Sequence, residues 1–183
     1  MEKLRPLLEL NVDINNGIIP LIGEVDDNMY ARLVTCLTAL SNANLEYSEL
    51  TILLNTRGGE VDQAFAIYDL LRTQEIPIRV VCNGPVLSAG TIILMAGDKR
   101  HMSSHSYLVF HYGQDANTCA NDIAHSNYMN KRYNELFKKT KITSKILEKW
   151  SSTNVYYTPE KALELGIVTG VIYEKKGNEK SAS

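Results

Sequence analysis

The stretch Asn83-Gly-Pro-Val-Leu-Ser-Ala-Gly90, with the apolar run Thr91-Ile-Ile-Leu-Met-Ala96 behind it, decides how the chain is read. The run from Ile78 to Val81 leads into it and reads as a buried strand. Gly84-Pro85 is expected to break that strand. One hydroxyl, Ser88, then stands between the strand and a helix-length apolar segment. A serine at such a turn projects its Oγ from the end of the sheet. The first amides of the following helix point at whatever the Oγ attacks. Nucleophile elbows use this geometry, although the residues here are not the G-x-S-x-G form. On this stretch alone, a helix N-cap is the other role open to Ser88.

Two further stretches favour the nucleophile. Upstream, Leu50-Thr-Ile-Leu-Leu-Asn55 reads as a strand that runs into Thr56-Arg-Gly-Gly59. A helix follows, with Val61, Ala64, Phe65, Tyr68 and Leu71 on one face. A Gly-Gly between strand and helix lets the backbone approach a ligand and offer free N–H groups. Downstream, Ser106-Tyr-Leu-Val-Phe-His111 is a strand with a histidine at its C-terminal end. Sites in α/β sheets collect at those ends. Successive strands thus end in Gly-Gly, in Ser and in His.

At this point the chain resembles the ClpP family of serine peptidases. The resemblance rests on Leu54-Asn-Thr-Arg-Gly-Gly59, Ala66-Ile-Tyr-Asp69, Gly84-Pro-Val-Leu-Ser-Ala-Gly90, Met95-Ala-Gly97, Val109-Phe-His111 and Thr158-Pro-Glu-Lys-Ala-Leu-Glu-Leu-Gly166. The order and approximate spacing of these pieces match as well, from Gly17 to Ile172. The resemblance implies an α/β fold: a ClpP/crotonase-like spiral with a mostly parallel sheet, helices on its faces and a protruding handle helix. It divides the chain into a short N-terminal segment (1–16), a peptidase domain (17–173, handle about 112–140) and a flexible tail (174–183).

Composition agrees with one soluble domain. The chain has 183 residues, 44% hydrophobic and 22% charged, enough for a core of its own. A net charge of −2 argues against nucleic acid as a partner. No apolar run reaches the roughly 18 residues of a membrane span, and Met1-Glu-Lys-Leu-Arg-Pro6 has no secretory h-region. Cys36, Cys82 and Cys119 are odd in number and widely spaced, which suits reduced thiols in the cytoplasm and neither a disulfide framework nor a zinc site.

The remaining elements follow from local signals. Ile18 to Ile22 reads as a strand, and Asp26 or Asp27 as the cap of a helix to about Leu40. Strand alternating with helix predicts a mostly parallel sheet. Tyr112 to Asn121 reads as a loop and Asp122 to Lys139 as a long helix whose Tyr and Met residues are interface candidates. In the ClpP family this region interlocks two stacked heptameric rings. Ser144 to Trp150 reads as a short helix. Thr158 caps the next, Pro159 starts it and Gly166 ends it. Ile167 to Tyr173 reads as the last strand.

A serine hydroxyl needs a base to take its proton. The resemblance gives that role to His111, 23 positions after Ser88. His101 and His105 fall in the turn before the strand, and His125 on the handle. The resemblance assigns the oxyanion hole to the backbone N–H groups of Gly59 and Ala89. Arg57 stands where the family commonly has Pro, adding a cation beside the site. Asn154 falls at the family's catalytic Asp, and no aspartate occurs after Asp122. An asparagine can orient a histidine through its amide oxygen, as Cys-His-Asn peptidases show, without lending it a full charge.

The expectation is therefore a cytoplasmic serine endopeptidase subunit of a homo-oligomeric, tetradecameric ClpP-like barrel, with catalytic Ser88, His111 and Asn154. Its substrate would be an unfolded polypeptide or peptide. No cofactor and no metal is implied. The partners implied are further copies of the chain, an AAA+ unfoldase or a ClpP paralogue, with no nucleic acid and no membrane. The segment 1–16 is short for the axial loops that contact an unfoldase in the family, which implies weak docking or processing without one. Asn154 motivates an alternative, a weakly active or inactive structural or regulatory subunit assembled with an active paralogue. An acyl-CoA enzyme of the crotonase fold is a further alternative, opposed by the pairing of Ser88 with His111.

Overall fold

The structure is a computed structural model; it describes residues 12–43, 45–111 and 120–174, and only the backbone of 120–126. In chain order the elements are β1 (Ile18–Ile22), α1 (Asp27–Ser41), β2 (Leu50–Thr56), α2 (Val61–Arg72), β3 (Ile78–Leu87), α3 (Gly90–Leu94), β4 (Lys99–Ser103), β5 (Tyr107–Phe110), α4 (Ala120–Leu136), α5 (Ser144–Ser152), β6 (Val155–Tyr157), α6 (Pro159–Glu164) and β7 (Gly170–Ile172).

Local chemistry sets the boundaries. Asp26 starts α1 by accepting the Met29 N–H at 2.8 Å, and Thr158 starts α6 by accepting the Lys161 N–H at 3.3 Å. Pro159 occupies the first turn of α6, where its missing N–H costs nothing. Gly166, at φ 74°, follows the end of that helix.

The sheet is mostly parallel, as alternation of strand and helix requires. Its order is β1-β2-β3-β4-β7, all parallel. β5 runs parallel to the second half of β3, and β6 pairs antiparallel with β5. Every second residue of β2, Leu50, Ile52, Leu54 and Thr56, is buried on one face. On that side α1 packs against β1, α3 against β2 and β3, and α2 between the two helices.

Several expectations change. Gly84-Pro85 does not break the strand. β3 runs through it to Leu87 and exchanges β4 for β5 as its partner on the way. Ser106 holds the crossing point: its hydroxyl donates to the Cys82 carbonyl at 2.8 Å and accepts the Gly84 N–H at 3.1 Å. The apolar run after Ser88 makes a helix of only 5 residues. His101 lies in β4 and not in a turn; only His105 is in the turn. The last strand is 3 residues long, Gly170–Ile172.

The handle also differs. Of the aromatic and Met side chains described there, Met129, Tyr133 and Phe137 are buried in the chain's own core, and Tyr128 is exposed. Tyr133 Oη and Thr91 Oγ1 lie 2.7 Å apart and share a hydrogen bond, which ties α4 to α3. Phe110, at the end of β5, stacks on Trp150 with centroids 4.2 Å apart and meets Phe137 edge-on at 5.6 Å. The Trp150 indole N–H donates to Tyr157 Oη at 3.1 Å, so the cluster leaves no indole donor stranded. This aromatic layer lies under the β5–β6 ribbon and fixes its position. The expected segment 1–16 lies outside the described residues up to 11. So do the loop from 112 to 119 with Cys119, and the tail from 175.

Candidate active site

Ser88 occupies the residue between the end of β3 and α3 and is the only described non-glycine residue with positive φ, 52°. That conformation is sterically costly for an L-residue and marks a site where the surroundings impose the turn. Ser88 is not a cap. Ala89 holds the N-cap position, and the Ser88 side chain makes no hydrogen bond among the described residues. Its backbone is held on both sides. The Ser88 N–H donates to the Val109 carbonyl at 2.9 Å, and its carbonyl accepts the Thr91 N–H at 2.9 Å and the Thr91 hydroxyl at 2.7 Å. The hydroxyl is thus left to point away from a fully engaged backbone.

His111 is half-buried and immediately follows β5. The Ser88–Val109 bond lies two positions before it, so parallel pairing of β3 with β5 brings serine and histidine to one end of the sheet. Asn154 precedes β6. The antiparallel register pairs Val109 with Tyr156 and Phe110 with Val155. One step further along the same register sets Asn154 opposite His111. Alternation then puts Tyr107, Val109, His111, Asn154 and Tyr156 on one face, opposite the buried Leu108, Phe110, Val155 and Tyr157. Asn154 is exposed, and its amide makes no hydrogen bond among the described residues.

The Gly-Gly turn closes the other side. Gly58 has φ 97° and donates its N–H to the buried Thr56 hydroxyl at 3.0 Å. A Cβ built on Gly58 would lie 2.8 Å from the Ser88 Cβ and 3.3 Å from the Ala89 nitrogen, so the turn rests directly on the serine. Gly59 forms a parallel bridge with Val25. Val25 donates to the Gly58 carbonyl at 2.9 Å, and Glu60 donates to the Val25 carbonyl at 2.8 Å. That pattern turns the Gly59 N–H to the opposite edge, the side of Ser88. Among the described residues, the Gly59 and Ala89 amides donate to nothing. Two unengaged N–H groups beside one hydroxyl and one imidazole can stabilise an oxyanion formed by attack on a carbonyl.

The structure thus gathers Ser88, His111, Asn154, Gly59 and Ala89 at one end of the sheet. The Gly-Gly turn was legible in the sequence, but the Thr56 hydroxyl that braces it through the Gly58 N–H was not. A threonine ending an apolar strand just before Gly-Gly was its signal. His101 stands elsewhere, in the pairing of β4 with β7. Burial and the neighbouring Arg79 hold its pKa below the usual histidine value, against a smaller opposing pull from Glu49. Among the described residues no three His, Cys, Asp or Glu side chains form a group that could hold a metal ion, and no helix is long and apolar enough to cross a membrane.

A family model described as Clp protease matches residues 10–175. The chain belongs to the Clp protease family. It is 29% identical over 162 residues to the ATP-dependent Clp protease proteolytic subunit of Deinococcus radiodurans, spanning 84% of this chain and 79% of that protein. It also superposes on a solved ClpP1 mutant from Listeria monocytogenes, one with Asn changed to Asp. The TM-score is 0.79 at 22% identity, over 94% of this chain and 97% of the other. The α/β fold with its mostly parallel sheet is therefore the Clp protease fold, and the chain is a ClpP-type peptidase subunit.

Proposed function

We propose that this Clp protease family member is a serine endopeptidase acting on unfolded polypeptides or peptides, in which Ser88 is the nucleophile. The observation that carries the reading is the strained Ser88 turn, φ 52°, packed against Gly58 at the sheet end that also bears His111. In this mechanism His111 Nε2 takes the Ser88 proton as Oγ attacks the peptide carbonyl. The N–H groups of Gly59 and Ala89 receive the developing oxyanion. The proton then passes from His111 to the departing amine, and water releases the acyl group by the same route. The structure holds no hydrogen bond from Asn154 to His111. In this mechanism Asn154 Oδ1 comes to accept the His111 Nδ1–H when substrate is bound and holds the tautomer that leaves Nε2 free. The chain acts in the cytoplasm as stacked heptameric rings, with an AAA+ unfoldase or a paralogue as partner. At micromolar concentration, sedimentation is expected to show a species many times the mass of the 20.5 kDa chain, and a monomer alone refutes the ring.

Asn154 supplies the decisive test. An amide orients the imidazole without a charge to stabilise the imidazolium. Asn154→Asp is expected to raise peptide hydrolysis about tenfold, which corresponds to ~1.4 kcal/mol of transition-state stabilisation, within the reach of one charge-assisted hydrogen bond. Asn154→Ala is expected to lower it. Equal rates for wild type and Asn154→Ala remove Asn154 from the mechanism. A second reading, a weakly active or inactive subunit working beside an active paralogue, draws on the exposed Asn154 amide, which makes no hydrogen bond among the described residues. That reading takes over if wild type and Asn154→Asp both leave a fluorophosphonate probe unattached to Ser88.

A further inference from the structure

Beside the Ser88 turn stands a guanidinium that the proposed chemistry does not use. Thr56 ends β2 with its side chain buried, so strand alternation turns Arg57 to the opposite face, where it is exposed. That is also the face toward which Asn55 reaches, donating its amide N–H to the Asn83 carbonyl at 3.2 Å. A Cβ on Gly58 would lie 2.8 Å from the Ser88 Cβ. One Cα–Cα step back from Gly58 puts the Arg57 Cα within about 8 Å of that same atom. A guanidinium on its long apolar stem covers such a distance.

The surroundings leave this cation uncommitted. Arg72 holds Asp98, Arg79 holds Glu49 and Arg132 holds Asp69, whereas Arg57 makes no ion pair or hydrogen bond among the described residues. The acids nearest in chain, Glu60 and Asp62, are exposed, as is Glu24 beside the Val25–Gly59 bridge, and none of them forms an ion pair with Arg57 among the described residues. Glu60 lies beyond both glycines, its backbone tied to Val25. An arginine kept free at the rim of a peptide-binding cleft recognises a planar carboxylate through paired N–H donors.

We propose that Arg57 is a specificity-determining residue that selects substrates with an Asp or Glu side chain within two residues of the scissile bond. The proposal rests on the peptidase reading for its site but acts at the level of binding, so it can be tested without turnover. Fluorescent decapeptides blocked at both ends are made in pairs, a Glu peptide and its Gln twin, and titrated by anisotropy against Ser88→Ala and against Ser88→Ala with Arg57→Gln. In parallel, wild type and Arg57→Gln digest the unlabelled set, and mass spectrometry reads the cut sites. The Glu peptides are expected to bind Ser88→Ala about fivefold more tightly than their Gln twins at low salt. Arg57→Gln brings that ratio to near one, Arg57→Lys keeps part of it, and added salt erodes it. An unchanged ratio in Arg57→Gln, or no Glu preference in Ser88→Ala, overturns the proposal, as does failure of every peptide to bind. Arg57-dependent binding without cleavage by wild type instead counts against Ser88 as a nucleophile and leaves Arg57 standing. Cleavage without an Arg57-dependent bias does the reverse.

Discussion

Ser88→Ala and Ser88→Gly are both expected to reduce peptide hydrolysis to background, a loss of up to about 10⁶ where a triad nucleophile is removed. The two variants differ in stability, and that difference tests the structural half of the argument. Ser88 sits at φ 52°, a region that disfavours any residue with a Cβ. Alanine keeps that strain and glycine releases it, so Ser88→Gly is expected to be more stable than wild type by about 1 kcal/mol. Denaturant midpoints read the change directly. His111→Ala is expected to cost as much activity as Ser88→Ala, and the double variant no more than either, because the two groups act as one unit. Hydrolysis surviving in Ser88→Ala at the wild-type rate removes the nucleophile from the mechanism. A stability gain in Ser88→Gly without loss of activity leaves the strained turn with no chemical purpose.

The second large effect is expected at Gly59. A Cβ there would lie 2.3 Å from the Val25 carbonyl oxygen and 2.9 Å from the Val25 nitrogen. Both atoms are backbone, so no rotamer change relieves the clash. The backbone must move, and that opens the hydrogen bonds Val25–Gly58 at 2.9 Å and Glu60–Val25 at 2.8 Å. Two such bonds at about 1 kcal/mol each, with about 1–3 kcal/mol of strain at φ 148°, bring the cost of Gly59→Ala to about 3–5 kcal/mol. That is a large share of a typical domain's stability of about 5–15 kcal/mol. In whatever fraction still folds, the Gly59 N–H is misdirected. Loss of one oxyanion donor costs about 10²–10³ in rate, which the rate of fluorophosphonate labelling at Ser88 reports. A variant with wild-type midpoint and wild-type labelling shows that the bridge to Val25 does not hold the turn.

Much of this was legible along the chain because the signals are local. Strands β1, β2 and β5 are apolar runs bounded by polar or glycine residues. Helices α1 and α6 carry Asp26 and Thr158 just where caps are needed. Ser88, His111 and Gly59 could be singled out because each ends a recognisable strand at a turn. Strand β4 could not be read. Lys99-Arg-His-Met-Ser103 has one buried apolar residue, Met102, and is a strand only because β3 and β7 complete its hydrogen bonds on either side. Three-residue β6 escaped for the same reason. The span of β3 through Gly84-Pro85 also depends on partners distant in sequence, above all the Ser106 hydroxyl.

The site divides along the same line. Which chemical groups are available, a hydroxyl, an imidazole, an amide and a Gly-Gly turn, was settled by the sequence alone, since these are properties of residues. That they gather at one end of the sheet was decided only by tertiary structure. The antiparallel pairing of β5 with β6, carried one step past Phe110–Val155, sets Asn154 opposite His111 although the two strands lie far apart in the chain. Ser88 is driven to positive φ by bonds from Val109 and Thr91. The Gly59 N–H is turned toward the serine by Val25, a residue with no functional signature of its own. Register and strain arise from contacts between segments distant in sequence, and a linear pattern records the segments without the contacts.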